Sequence, residues 1–125
     1  MFKSMFAMAV VAFISFPLKA EPAGSHIFID GNRLYADCNR DSNDAAGLIA
    51  FGACRNYIFG VFDSFVAFRS ENKLSACLPE GVNAGQLVDI VRQHFRDNPA
   101  RRHEGASYMV VRAVLPLLIE CQPKN

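Results

Sequence analysis

The sequence lacks the closely spaced cysteine or histidine pairs that usually bind zinc. Its four cysteines, Cys38, Cys54, Cys77 and Cys121, are separated by 16, 23 and 44 residues. Structural zinc sites usually take their ligands from close pairs. None of the three histidines has another histidine or a cysteine three or four residues away. We therefore predict no metal site and no cofactor.

Recognisable catalytic motifs are also missing from the sequence. Neither Ser64 nor Ser107 lies in a nucleophile-elbow motif. Gly31, Gly81 and Gly85 form no phosphate-binding run. A cysteine nucleophile is not expected where the cysteines pair with one another. We therefore predict that the protein is not an enzyme.

Neither sign of charge is in large excess. From Glu21 onward the chain has 11 basic and 12 acidic side chains, because Lys3 and Lys19 precede that point. Nucleic-acid binding calls for a basic patch, so this balance argues against nucleic acid and against electrostatic membrane binding. An arginine cluster is interpreted as a solvated helix face rather than an anion site. It contains Arg92, Arg96, Arg101 and Arg102, balanced by Asp89, Asp97 and Glu104.

The first twenty residues have the pattern of an export signal. A positive start at Lys3 precedes an apolar or small stretch from Ser4 to Leu18, and Ala20 supplies the small residue of a cleavage site. A membrane-spanning helix needs about 20 apolar residues, and this stretch is shorter. We predict a signal peptide over residues 1–20, cleavage after Ala20, a periplasmic location, and one domain over residues 21–125 that does not bind the membrane after cleavage.

Four cysteines in an exported chain indicate disulfides, because disulfides persist in oxidising compartments. A domain of this size also buries only a modest core, so such bonds matter for its stability. We predict two disulfides.

The apolar periodicity predicts four helices and no sheet. Asp30 begins a short first helix, and a longer one is expected from about Ala45 to Phe68. Asn83 with Gln86 resembles a capping box that starts the third helix. Asn98-Pro99 is expected to begin the fourth, which Pro116 should kink or tighten. The predicted fold is therefore all-α: a small four-helix domain stapled by two disulfides.

The long second helix is apolar on more than one side. Phe51, Phe59 and Phe68 lie partly off its main apolar stripe, and Gly60 lies near that stripe, where a small residue would allow another helix to approach closely. Two explanations remain open. The helix is central and packed on several sides, or it carries an oligomer or partner interface, since large exposed apolar patches are rare on monomers.

Helix geometry favours one disulfide pairing of the three possible. The third and fourth helices should form an antiparallel hairpin, which brings Cys121 to the end of the bundle where Cys77 lies. That arrangement leaves Cys38 to pair with Cys54 across the break between the first two helices.

An ordered series of short motifs resembles the Tai-type family, small periplasmic immunity proteins associated with type VI secretion amidase effectors. Pro116 departs from the family pattern, which usually ends the last helix with Pro-Cys. The matching motifs are Gly31-Asn32-x-Leu34-x-x-x-Cys38, Cys54-x-x-Tyr57-Ile58-x-Gly60, Cys77-Leu78-Pro79-x-Gly81-Val82, Gln86-Leu87-Val88-x-x-Val91, Pro99-x-x-Arg102-His103 and Cys121.

The resemblance implies a disulfide-bonded helical domain, often a homodimer, that binds a secreted cell-wall amidase or a similar effector and blocks its active site. The alternative is a periplasmic binding or chaperone-like module without a toxin partner. Interface residues cannot be read from one sequence; Phe51, Phe59, Phe68 and the loop at residues 71–73 are the candidates.

Overall fold

A computed structural model describes residues 27–119 of the chain. Within this range the polypeptide forms four α-helices and no β-strand, which confirms the predicted all-α architecture. The helices are α1 (Gly31–Cys38), α2 (Ala45–Glu71), α3 (Ala84–Asp97) and α4 (Ala106–Val114). Two short 3₁₀ segments, Pro99–Arg101 and Leu115–Leu117, precede and follow α4.

Three of the helices begin at the polar side chains that the sequence indicated or at their near neighbours. The Asp30 carboxylate accepts a hydrogen bond from the Arg33 amide at 2.8 Å, and the Asp44 carboxylate accepts one from the Gly47 amide at 2.6 Å. Asn83 and Gln86 form the predicted reciprocal capping box at the start of α3. These bonds satisfy amide groups of the first turn that have no partner inside the helix.

The predicted start of the last helix at Asn98 is wrong. The side-chain amide of Asn98 donates to the His94 carbonyl at 2.8 Å, so it satisfies the end of α3 instead. Backbone groups between residues 102 and 106 form hydrogen bonds with the chain around the start of α1. Arg102 and Glu104 carbonyls accept from the Asn32 and Gly31 amides at 2.8 and 2.9 Å.

Because those carbonyls are committed to α1, the chain cannot become helical until Ala106. An antiparallel bridge between Asp30 and Gly105 holds the same contact. At its other end α4 tightens into the 3₁₀ segment that contains Pro116, which confirms the predicted effect of that proline.

The hydrophobic core lies where all four helices meet. The predicted buried faces of α3 and α4 are largely confirmed, and α2 contributes Cys54 and Ile58, both fully buried. Burial of apolar surface contributes about 25 cal/mol per Å², so this core is the main source of stability. Its members are Leu34, Cys38, Cys54, Ile58, Leu87, Val88, Val91, Phe95, Ala106, Met109, Val110, Ala113 and Val114.

One of the two predicted disulfides is present among the described residues. Cys38 and Cys54 are bonded, with their Cα atoms 5.1 Å apart, and join α1 to α2 inside the core. The predicted partner of Cys77 is Cys121, which lies outside the described residues, so that pairing stays a prediction. Its geometric basis is favourable, because the Ile119 amide donates to the Cys77 carbonyl at 2.9 Å.

Arg102 connects three elements. Its guanidinium carbon lies 3.6 Å from the ring centre of Tyr35 on α1, and its Nε donates to the Phe95 carbonyl on α3 at 2.8 Å. Interpreting all four clustered arginines as a solvated face is therefore wrong for Arg102 and also for Arg92, which are both half-buried. Arg92 and Arg101 do pair with Asp89 and Glu104, as expected.

Candidate partner-binding surface

The cysteines and histidines singled out in the sequence do not converge on a reactive centre. Cys38 and Cys54 are consumed by the core disulfide, and Cys77 lies in the segment between α2 and α3. His94 is near the end of α3 and His103 is in the turn before α4. Cys121 and His26 lie outside the described residues.

The apolar side chains in the second half of α2, Phe59–Glu71, are only partly covered by the rest of the fold. Cys54 and Ile58 are buried, but no side chain from Phe59 to Glu71 is buried. Phe68 is 60% exposed, whereas Phe51 and Phe59 are half-buried. Both explanations of the apolar helix therefore apply in part. The buried positions lie in the first half, and exposed apolar side chains occur in both halves, at Leu48 and Ile49 as well as at Phe68.

A groove of about 530 Å³ runs between α2 and α4. Its lining contains no charged side chain. Its lining combines three small residues, Gly60, Ser64 and Ser107, with larger apolar and aromatic side chains. The lining consists of Tyr57, Gly60, Val61, Ser64, Phe65, Ser107 and Val111.

A second depression, the α2–α3 cleft, lies along the border of α2 with α3 and consists of two hollows. One, of about 340 Å³, is lined by Phe59, Phe62, Asp63, Leu78, Val82, Asn83, Ala84 and Leu87. The other, of about 310 Å³, is lined by Phe51, Arg55, Gly85, Val88 and Asp89. The two adjoin at Phe59, because Arg55 lies over the Phe59 ring.

The sequence candidates covered only part of this cleft. Phe51 and Phe59 line it, but Phe68 and the 71–73 loop do not. Leu78 and Val82, from the segment before α3, were missed as surface residues. Apolar side chains on either side of a Pro-x-Gly turn in a non-helical segment are the signal that could have indicated them.

Among residues 27–119, His94 is the titratable group whose pKa departs from its usual value. Partial burial lowers the pKa of His94 below its usual value near 6.5, and the nearby positive charge of Arg101 lowers it further, while Asp97 acts in the opposite direction. Next to the ring, the Asn98 side-chain amide lies 3.5 Å from His94 Nδ1. These surroundings suit a structural position at the end of α3.

Length and composition alone would allow α2 to cross a membrane. A core helix of a soluble domain passes the same test, and α2 is covalently joined to α1 through Cys54. Arg55 and Asp63 would also have to enter the bilayer, where charged side chains are costly.

Among residues 27–119, no group of three His, Cys, Asp or Glu side chains could hold a metal ion.

Within residues 27–119 the protein is a small four-helix domain with apolar depressions on its surface. A family model described as Rap1a immunity proteins matches residues 30–115, more than half of the chain. The chain therefore belongs to the Rap1a immunity protein family, a family of type VI secretion systems. Proteins of this family are generally non-catalytic, and membership of the family implies that the partner is a protein effector. No curated protein and no solved structure matches.

Proposed function

We propose that this protein is a periplasmic immunity protein that binds and inhibits a peptidoglycan-cleaving, amidase-type effector of type VI secretion. Membership of the Rap1a immunity family carries the proposal. The amidase class of the effector rests on the motif resemblance in the sequence. Inhibition by binding suits a domain that exposes a large apolar helix surface.

The proposed location follows from the leader and the cysteines. Residues 1–20 have the composition of a signal peptide, and Cys38–Cys54 is a bond typical of oxidising compartments. An inhibitor of a cell-wall enzyme must meet it in the compartment that contains the cell wall. Export is therefore part of the proposed function and not an independent property.

The test is protection of a bacterial host. The candidate amidase from the neighbouring reading frame is directed to the periplasm, with and without the full chain. We expect growth to be rescued by the full chain and not by a version lacking residues 1–20, produced at equal levels. Equal rescue by the leaderless version would contradict periplasmic action, and no rescue together with no co-purified complex would contradict inhibition of that amidase.

We also propose that the protein forms a homodimer, as the family resemblance implies. The α2–α4 groove suits a second copy because its lining is uncharged, so the same surface on two protomers can meet without like-charge repulsion. Light scattering coupled to gel filtration would measure the mass directly. A monomeric mass at high protein concentration would contradict the dimer.

The alternative function, a chaperone-like module, draws support from the exposed aromatic side chains. Phe28 is 97% exposed and Phe68 is 60% exposed. A chaperone would suppress aggregation of unrelated unfolded clients, whereas an inhibitor would form a stoichiometric complex with one enzyme. An aggregation assay with a standard unfolded client distinguishes the two.

A further inference from the structure

Arg55 is held over the α2–α3 cleft by two aromatic rings of its own helix. Its guanidinium carbon lies 6.0 Å from the ring centre of Phe51 and 5.5 Å from that of Phe59. These residues are four positions before and after Arg55, so all three share one face of α2. Such stacking restricts the side chain without using its hydrogen-bond donors.

The donors of Arg55 have no acceptor within residues 27–119. Four ion pairs occur in this range, and none includes Arg55. The two other stacked arginines differ: Arg69 donates to the Ser75 carbonyl and Arg102 to the Phe95 carbonyl. A guanidinium has five N–H donors in a fixed planar arrangement. Arg55 therefore presents its donors to solvent, with no intramolecular acceptor among the described residues.

The surroundings of Arg55 limit what it could bind. The adjoining hollow is mostly apolar, lined among others by Phe62, Leu78 and Val82. Each hollow also contains one carboxylate, Asp89 in the hollow that Arg55 lines and Asp63 in the other. Asp89, exposed on α3, is already paired with Arg92 at 3.6 Å, and Asp63 lines the far hollow. A strongly acidic segment would be repelled by these two, so the cleft fits one carboxylate followed by an apolar side chain.

We propose that the α2–α3 cleft is the docking site for a segment of the effector that bears one Asp or Glu carboxylate beside an apolar side chain. The carboxylate binds the Arg55 guanidinium, and the apolar side chain enters the hollow beside Phe59. This inference rests on the proposed function for the identity of the partner. The cleft chemistry itself does not depend on it.

Arg55 has the features of a binding hot spot. Interface energy concentrates in a few residues, among which arginine and aromatics are enriched. Stacking between Phe51 and Phe59 reduces the side-chain entropy that binding would otherwise cost. Carboxylate recognition by arginine is often bidentate, which adds geometric specificity. Lysine cannot reproduce that geometry.

The first test measures binding of the neighbouring-gene amidase to the full chain, purified from the periplasm after export. We expect Arg55→Gln to weaken binding at least tenfold and Arg55→Lys to restore only part of the loss. The matched control is Arg40→Gln, which removes the same charge from the exposed loop between α1 and α2. If Arg55→Gln and Arg40→Gln both bind the amidase as tightly as the wild-type protein does, the docking site is overturned while the immunity function stays intact.

The second test needs no effector. The ¹⁵N-labelled protein is titrated with the dipeptide acetyl-Asp-Phe-amide, and the neutral acetyl-Asn-Phe-amide is the control. We expect millimolar binding with amide shifts around residues 51–59 and 82–88, lost in Arg55→Gln and weakened by salt. Equal shifts from the neutral peptide, shifts confined to the α2–α4 groove, or no shifts would each overturn the proposal. If the amidase does not bind but these shifts appear, the proposed function fails and the site stands.

Discussion

Both halves of α2 are apolar, but they differ in how deeply their side chains are buried. The first half, Ala45–Ile58, contains all four buried residues of the helix and the disulfide to α1. The second half, Phe59–Glu71, is at least as rich in phenylalanine yet buries none of its side chains. Hydrophobicity alone therefore does not determine which part of this helix belongs to the core. The position of neighbouring helices does.

The difference follows from helix length. At about 1.5 Å per residue, the 27 residues of α2 outreach the 14 of α3 and the 9 of α4. No single one of these shorter helices can cover the whole length of α2. In the second half Phe59, Phe62 and Phe65 are packed against the core but stay half-buried, and depressions adjoin it on the α4 side and on the side of the 78–84 segment. Exposed apolar surface is a common feature of interaction sites.

The largest expected effect compares truncations in the two halves. Ile58→Ala removes a fully buried side chain and should lower the free energy of unfolding by about 2–5 kcal/mol. Phe68→Ala removes a larger but mostly exposed side chain and should change it by about 0.5 kcal/mol or less. Urea unfolding of both variants measures the contrast. A loss at Phe68 comparable to that at Ile58 would show that the second half is covered in solution, as by a second copy.

A smaller contrast is expected between two glycines of the same helix. A Cβ at Gly47 would lie 1.6 Å from the Asp41 carbonyl oxygen, whereas a Cβ at Gly60 would have nothing within 4 Å. Gly47→Ala should therefore destabilise by about 1–3 kcal/mol through overpacking. Gly60→Ala should stabilise by about 0.5–1 kcal/mol, since glycine disfavours helix.

Thermal unfolding and light scattering on both glycine variants would check these signs. The close helix approach expected at Gly60 from the sequence does not occur within residues 27–119. If Gly60→Ala instead reduces stability and the measured mass together, a second copy of the chain lies against Gly60. That result would sharpen the assignment of the α2–α4 groove to the dimer.

The smallest effect concerns pH and lies outside α2. Because the pKa of His94 is lowered in the folded state, the unfolded state binds more protons between that pKa and about 6.5. Stability should therefore fall as pH drops through this window. His94→Gln should flatten that part of the stability–pH curve. An unchanged slope in the variant would assign the dependence to other groups, such as carboxylates.

Much of the local structure could be predicted from the sequence because its causes are local. Asp30 and Asn83 cap helices through bonds to residues three positions away, and Pro116 acts on its own turn. The Cys38–Cys54 pairing also follows from a short connection between consecutive helices. The same locality explains why the error at Asn98 arose. Asn98 bonds to the His94 carbonyl instead of capping the next helix, and residues 102–106 bond to the chain around α1. The apolar periodicity does not reveal either set of bonds.

The candidate surface was harder to predict because it depends on which partners are absent. Phe51 and Phe59 were indicated, but Leu78 and Val82 join them only because the chain folds back along α2. Whether the Arg55 guanidinium has an intramolecular acceptor also depends on where the acidic side chains lie. No spacing in the sequence encodes that information.

The sequence by itself determined the helical class, the helix caps, the first disulfide pairing and the resemblance to immunity proteins, since these depend on residues near one another or on ordered motifs. Only the tertiary structure decided that the buried residues of α2 all lie in its first half, that Arg102 contacts both α1 and α3, and that Arg55 lies beside a cleft with no acceptor among the described residues. The physical reason is that burial and charge pairing depend on which residues are neighbours in space, and these residues are often far apart in the sequence.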